Sequence, residues 1–258
     1  MEPVYEAVVG FARGVFAMQG LRFTIVGEEN IPRDGGAVMV INHTGYMDFT
    51  YAGLAAQKSG RLLRFMAKES VFRHPVSGPL MRAMHHIPVD REAGSSSYAA
   101  AVADLRRGEI VGVFPEATIS RSFELKDFKT GAARMAAEAH VPIIPVVIWG
   151  SQRVWTKGHP KRLGRTNVPI FISVGEPIPV APDSDPEVVT AGYKEVMAHM
   201  LDLARAAYEP LRGADLKYLP ARLGGTAPTL AEANRLDELE QAERRAKRGD
   251  QSGDQSGD

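Results

Sequence analysis

The sequence predicts a single α/β domain built on a mixed, mostly parallel sheet flanked by helices, with an amphipathic helix at the N-terminus. Two observations carry that expectation. Short apolar runs of strand length alternate with segments of helical periodicity, the pattern of a chain that crosses back over its own sheet. Several of those runs are apolar at every position, as in strands covered on both faces. Length and composition agree with this. The 258 residues are 44% hydrophobic and 24% charged, ordinary for a globular protein and long enough for one sizeable core.

In chain order, Val4, Val8, Phe11, Val15 and Met18 share one helical stripe that Glu6 and Arg13 avoid. Such a stripe serves either a helix packed on the domain, the commoner case, or a helix dipping into a lipid surface. Strands are expected at 21–26, 37–41, 62–67, 87–89, 110–114, 143–148 and 170–174. Helices are expected near 48–58, 76–84, 95–107, 127–139 and 187–208. Ser95, Ser96 and Ser97 offer capping chemistry before the third of these, and Gly108 ends it. Beyond residue 212, glycine and proline replace the periodicity. Residues 230–248 then read as a solvated, charge-laced helix before a twice-repeated Gln-Ser-Gly-Asp. The expected organisation is an N-terminal helix over 1–19, a domain over 20–222 and a charged, partly disordered tail over 223–258.

Several function classes lose support. Lys plus Arg and Asp plus Glu both total 31, so no global charge draws the protein to nucleic acid. With no cysteine there is no thiolate nucleophile or thiolate metal site. G-x-S-x-G, P-loop, G-x-G-x-x-G and H-E-x-x-H patterns are missing. The seven histidines are scattered, and His85 and His86, adjacent on a strand, would face opposite ways; no metal is expected. The N-terminus lacks the basic start of a secretory signal, and the apolar stretch near it is too short to span a bilayer. A cytoplasmic folding environment is expected.

The chemistry concentrates at strand ends. The run 37–41 leads directly into Asn42-His43-Thr44-Gly45-Tyr46-Met47-Asp48, and the carboxyl ends of strands are where α/β sheets place ligands. Across a turn into a helix, this spacing lets the Asp48 carboxylate reach the His43 ring. A carboxylate on one ring nitrogen fixes the tautomer and leaves the other nitrogen to take a proton. Taken alone, the spacing fits a helix-capping aspartate beside a turn histidine as readily, and that arrangement is the commoner one. Basic residues also gather locally, at Arg61, Arg64, Lys68, Arg73, Arg82 and Arg91, and again over 153–165. Lys68 and Arg91 follow strands at the same edge and point to an anionic ligand or a lipid surface; Arg61, Arg82 and Arg165 read as solvated.

Three further segments change the balance. Ile87-Pro88-Val89-Asp90-Arg91, Phe114-Pro115-Glu116-Ala117-Thr118-Ile119-Ser120 and Val141-Pro142-Ile143-Ile144-Pro145-Val146 follow in order, with Phe128-Lys129-Thr130-Gly131-Ala132 between the last two. With Asn42, His43 and Asp48, they resemble the N-H-x-S-x-x-D, G-x-I-F-I-x-R, F-P-E-G-T-R-S and V-P-I-x-P-V motifs of the glycerolipid acyltransferases, the 1-acylglycerol-3-phosphate O-acyltransferase family. The resemblance covers roughly residues 20–180. It implies transfer of a fatty acyl group from acyl-CoA or acyl-carrier protein, as co-substrate, to lysophosphatidic acid, forming phosphatidic acid without a further cofactor. It implies His43 as general base, oriented by Asp48. Glu116 and Thr118 would lie at the acceptor, and Arg91 with Lys68, Arg121 or Lys129 at its phosphate. It also implies an acyl tunnel and a peripheral place on the cytoplasmic face of the membrane. Gly45 stands where serine is usual, His85 in place of a glycine and Pro88 in place of a phenylalanine, and two further departures bear on the site. Ala117 stands in place of a glycine, and Ile119 in place of an arginine that would hold phosphate. Either Arg121 takes over, or the acceptor differs, with glycerol-3-phosphate, a lysophospholipid or a glycolipid as alternatives. A non-catalytic lipid-binding protein is the rival from another class.

Overall fold

The computed structural model describes residues 2–89 and 94–253. The chain opens with α1 (Pro3–Met18), β1 (Arg22–Val26), β2 (Ala37–Ile41), α2 (Asp48–Ala55) and β3 (Leu63–Lys68). Next come α3 (Glu69–Arg73), α4 (Ser77–Ala83), β4 (Ile87–Val89), α5 (Gly94–Arg106) and β5 (Ile110–Val113). The remainder is α6 (Gly131–Ala139), β6 (Ile143–Trp149), β7 (Pro169–Val174), α7 (Pro186–Ala207) and α8 (Leu230–Gly253). One seven-stranded sheet has the order β1-β7-β6-β2-β5-β3-β4. Every neighbouring pair is parallel except β6 with β7.

The continuous apolar runs form the centre. Strands β2, β5 and β6 are buried at every residue. Because alternate side chains leave opposite faces, they feed two cores. Val38, Val40, Val111, Val113, Ile143 and Val147 meet α5, α6 and α7 on one face. Met39, Ile41, Ile110, Ile144, Val146 and Ile148 meet α1 and α2 on the other. The edges suit exposure: β1 has no buried residue, and β4 carries Pro88, which has no N–H to leave unpaired. Past the end of the ladder, Asn42 continues the pairing with its side chain. It donates Nδ2–H to the Ile148 carbonyl at 3.1 Å and accepts the Ile148 N–H at 2.7 Å. This fixes where β2 stops beside β6.

All seven expected strands are present, α3 was not expected, and four other features differ from the sequence reading. The stripe on α1 faces outward, with Phe11 and Met18 more than two-thirds exposed. Tyr5 and Phe16 do the packing instead, and Tyr5 donates its hydroxyl to the Leu63 carbonyl at 3.0 Å. The helix expected from 127 starts at Gly131, because Lys126 and Lys129 give their N–H groups to Glu116 and to the Pro115 carbonyl and keep the preceding stretch alongside that loop. Ser97 does not cap α5; its hydroxyl ties the helix to the Pro88 carbonyl at 2.8 Å. The C-terminal segment packs on the domain through Ala227, Ala233 and Asp237, and α8 opens with a reciprocal capping pair between Thr229 and Glu232.

Asn42→Leu should leave the N–H and carbonyl of Ile148 without partners in a dry interior. A loss of about 1–3 kcal/mol is expected, read as a lowered urea midpoint at unchanged slope. An unchanged midpoint would show that the clamp contributes nothing.

Candidate active site

The turn between β2 and α2 is organised by one oxygen. Asp48, fully buried, directs Oδ2 back across the turn. There it accepts the Thr44 N–H and the Gly45 N–H, each at 2.8 Å, and lies 2.9 Å from His43 Nδ1. The aspartate therefore does both things that its position allowed: it closes the turn and holds the histidine ring. With Nδ1 engaged, Nε2 is left for the adjoining cavity, which His43 lines. Phe114, just past the end of β5, supports the ring, with centroids 4.2 Å apart and planes 25° from parallel. Gly45 stands where the motif usually has serine. A Cβ there would sit 2.2 Å from Ser151 Oγ and 3.1 Å from its carbonyl, so a side chain would turn the Ser151 hydroxyl aside and press the two loops apart.

The second strand end locks onto the first. Glu116 accepts the His43 N–H on Oε1 at 2.8 Å and the Lys126 N–H on Oε2 at 3.2 Å, and the Ser120 N–H binds the His43 carbonyl at 2.7 Å. Glu116 thus grips the histidine backbone rather than facing the cavity, unlike the place at the acceptor that the family resemblance implied. Burial pushes its carboxyl up to about 8, with the nearby Asp48 adding to the rise, while the two N–H donors pull the other way. Ala117 keeps the backbone that a glycine would have, at φ 57°, so the departure alters the methyl group and not the path of the loop.

The cavity measures about 580 Å³ and is predominantly apolar, walled by Phe49, Phe65, Phe114 and Met135. Lys68 and Lys129 reach its lining and give it cationic groups. This volume suits a small-molecule ligand. The other predicted residues lie elsewhere. Arg121 is ion-paired with Asp237 and Glu240 of α8. Thr118 accepts from Lys157 Nζ at 2.7 Å. Arg91 lies outside the described residues. Ile119, at the position of the family arginine, is buried. Of the local basic excess, Arg64 is committed to Glu2 and Glu109, and Arg153 to Glu209 and Asp215. Among the described residues, no group of three or more His, Asp or Glu side chains could hold a metal. Sequence reasoning did not find the Asn42 clamp or the acids of α8; neither carries a pattern that distinguishes it from an ordinary polar residue.

A histidine–aspartate pair at a strand end, backed by a second acidic strand end and opening on an apolar cavity, defines a class. The family model described as Acyltransferase matches residues 22–149. The 1-acyl-sn-glycerol-3-phosphate acyltransferase of Bacillus subtilis is 30% identical over 158 residues, covering 60% of this chain and 72% of that protein. The enzyme of the same name from Borreliella burgdorferi is 29% identical over 146 residues, 54% of this chain and 56% of that protein. The crystal structure of the 1-acyl-sn-glycerophosphate acyltransferase from Thermotoga maritima superposes with a TM-score of 0.66 at 24% identity, covering 80% of this chain and 81% of that one, and shares the fold. The chain belongs to the acyltransferase family, in its 1-acylglycerol-3-phosphate O-acyltransferase branch.

The raised Glu116 carboxyl has a consequence for stability. Between its ordinary 4.5 and about 8 the folded protein keeps a proton that the unfolded chain has released. The group's contribution is therefore fully present below the lower value and is lost as pH rises to the upper one. The thermal midpoint of the wild type should fall across this window more steeply than that of Glu116→Gln. Parallel curves would refute the assignment.

Proposed function

We propose that the protein transfers a fatty acyl group from acyl-CoA or acyl-carrier protein to the free hydroxyl of 1-acyl-sn-glycerol-3-phosphate, forming phosphatidic acid. The observation that carries this reading is the His43–Asp48 pair set at the wall of an apolar cavity. The names of the relatives support the acceptor. In the proposed reaction, His43 Nε2 takes the proton of the acceptor hydroxyl as its oxygen attacks the thioester carbonyl. Asp48 keeps the ring in the tautomer that presents Nε2 as a base and stabilises the imidazolium that forms. As the tetrahedral adduct collapses, the C–S bond breaks and the imidazolium returns the proton to the departing thiolate. Transfer is direct, with no acyl-enzyme. The aromatic wall accommodates the acyl chain, and Lys68 and Lys129 supply positive charge at the cavity lining.

A second acceptor class is favoured by one observation, the buried Ile119 where the family pattern has a phosphate-holding arginine. Release of free thiol from palmitoyl-CoA, measured with lysophosphatidic acid, monoacylglycerol, glycerol-3-phosphate and a lysophospholipid, separates the two readings. Preference for lysophosphatidic acid supports the first reading, and preference for another acceptor replaces it. No thiol release with any acceptor would favour the non-catalytic lipid binder.

His43→Ala should lower kcat by about 10²–10⁴-fold with the fold retained by circular dichroism. Asp48→Asn should be similarly impaired, since an amide neither supports the imidazolium nor accepts as strongly from the two backbone N–H groups. Near-normal turnover by the folded His43→Ala protein would end the general-base assignment.

We further propose that the protein works at the cytoplasmic membrane surface. No helix among the described residues is long and apolar enough to cross a membrane, and α1 turns Phe11, 74% exposed, and Met18, 71% exposed, to solvent. Because Tyr5 and Phe16 hold α1 to the domain, the informative variant is Phe11→Asp/Met18→Asp rather than deletion of the helix. It should lose most of its sedimentation with anionic liposomes at unchanged thermal stability. Equal sedimentation of the two proteins would refute the role of this face.

A further inference from the structure

Three cations converge on α8 from two loops beside the active site. Arg121 Nε lies 3.1 Å from Asp237 Oδ1 and Nη2 lies 2.9 Å from Glu240 Oε2. Lys126 Nζ is 2.5 Å from Asp237 Oδ2. Lys157 Nζ is 3.2 Å from Asp237 Oδ1 and 3.3 Å from Glu240 Oε2. Five charge-assisted contacts therefore fall on three oxygens. One phosphate group likewise presents three terminal oxygens to arginine and lysine donors. Thr118, which accepts from Lys157, has its own hydroxyl proton to give. The cluster belongs to the catalytic loops: Thr118 follows the cavity-lining Ala117, and the Lys126 N–H binds the carboxylate that grips His43.

How α8 is held bears on what it does. Of its side chains from 230 to 243, only Ala233 and Asp237 are buried, while Leu236 and Leu239 face solvent. The helix is docked by charge rather than by an apolar face. Among the described residues the three cations outnumber the two carboxylates that meet them. An ion-pair dock of this kind can be displaced by a competing anion, whereas an apolar dock cannot.

We propose that Arg121, Lys126, Lys157 and Thr118 form a phosphate-binding site that α8 occupies with its own carboxylates, and that a phosphomonoester binds there by displacing the helix. The site itself needs only an anionic ligand. Its identification with the acceptor headgroup rests on the acyl-transfer reading above.

The test uses the full chain at constant ionic strength set with sodium chloride, and follows two readouts with inorganic phosphate and with glycerol-3-phosphate. In the wild type, the ligand should speed hydrogen–deuterium exchange over residues 230–243. In Asp237→Asn/Glu240→Gln, which leaves the cations without their internal partners, the thermal midpoint should be lower in chloride and should recover with ligand. Its apparent affinity should exceed that of the wild type by about tenfold or more, as expected when a charge-assisted competitor is removed. Lys157→Met added to that variant should abolish the recovery. A stronger response to glycerol-3-phosphate supports the site and assigns it to a lipid headgroup. Equal responses support it and assign it to free phosphate. A variant that is destabilised yet blind to both anions would overturn the proposal and leave α8 a structural tie. If the double variant fails to fold, Glu240→Gln alone carries the comparison, and a response no larger than that of the wild type overturns the proposal. None of these readouts uses turnover, so their failure and a failure of thiol release are told apart.

Discussion

One carboxylate oxygen organises this active site. Asp48 Oδ2 takes two backbone N–H groups of its own turn and meets the His43 ring. The turn can close this tightly only because the carboxylate supplies, in a dry interior, the acceptor that those N–H groups would otherwise lack. The same atom that shapes the backbone thereby sets the ring, so the histidine cannot move without opening the turn. Neighbouring features reinforce it. Asn42 fixes the end of β2, Glu116 and Ser120 hold the histidine's own N–H and carbonyl, and Phe114 covers the ring face. The imidazole is oriented by contacts on its side chain and on its backbone, which is the preorganisation that general-base chemistry rewards.

Charge is handled differently at the centre and at the rim. Close to the histidine, the buried carboxylates accept chiefly from backbone N–H groups: Asp48 from Thr44 and Gly45, and Glu116 from His43 and Lys126. Farther out, arginines are consumed by acids from distant parts of the chain: Arg64 by Glu2 and Glu109, Arg153 by Glu209 and Asp215. These pairs bind α1 and the segment after α7 to the sheet. A zero total charge therefore conceals a sorted distribution, in which most of the basic excess visible in the sequence is structural.

The sheet was legible because its strands are apolar at nearly every position, and such runs have few alternatives in a chain of this length. The histidine–aspartate pair was legible because both roles of Asp48 require the same short spacing. Other features were not. The stripe on α1 was recognised, but amphipathic periodicity does not say which face packs, and here the inward contacts are Tyr5 and Phe16 rather than the valines. The five residues of α3 are too few to show a period. Glu116 sits in a recognisable motif, yet the direction of its side chain depends on the His43 N–H, a partner 73 residues away. Asp237 is a single acid in a helix rich in acids, and only the fold brings its three cations together.

Ala117 sets chain stability and cavity shape against each other at one position. Its backbone lies in the left-handed region, which disfavours an L-residue by roughly 1–2 kcal/mol. Glycine would relieve that strain while adding back about 0.5–1 kcal/mol of chain entropy, a modest net gain. The same exchange would delete a methyl group from the cavity wall and widen the space beside His43. A less strained backbone and a narrower cavity are thus opposing demands on this one residue.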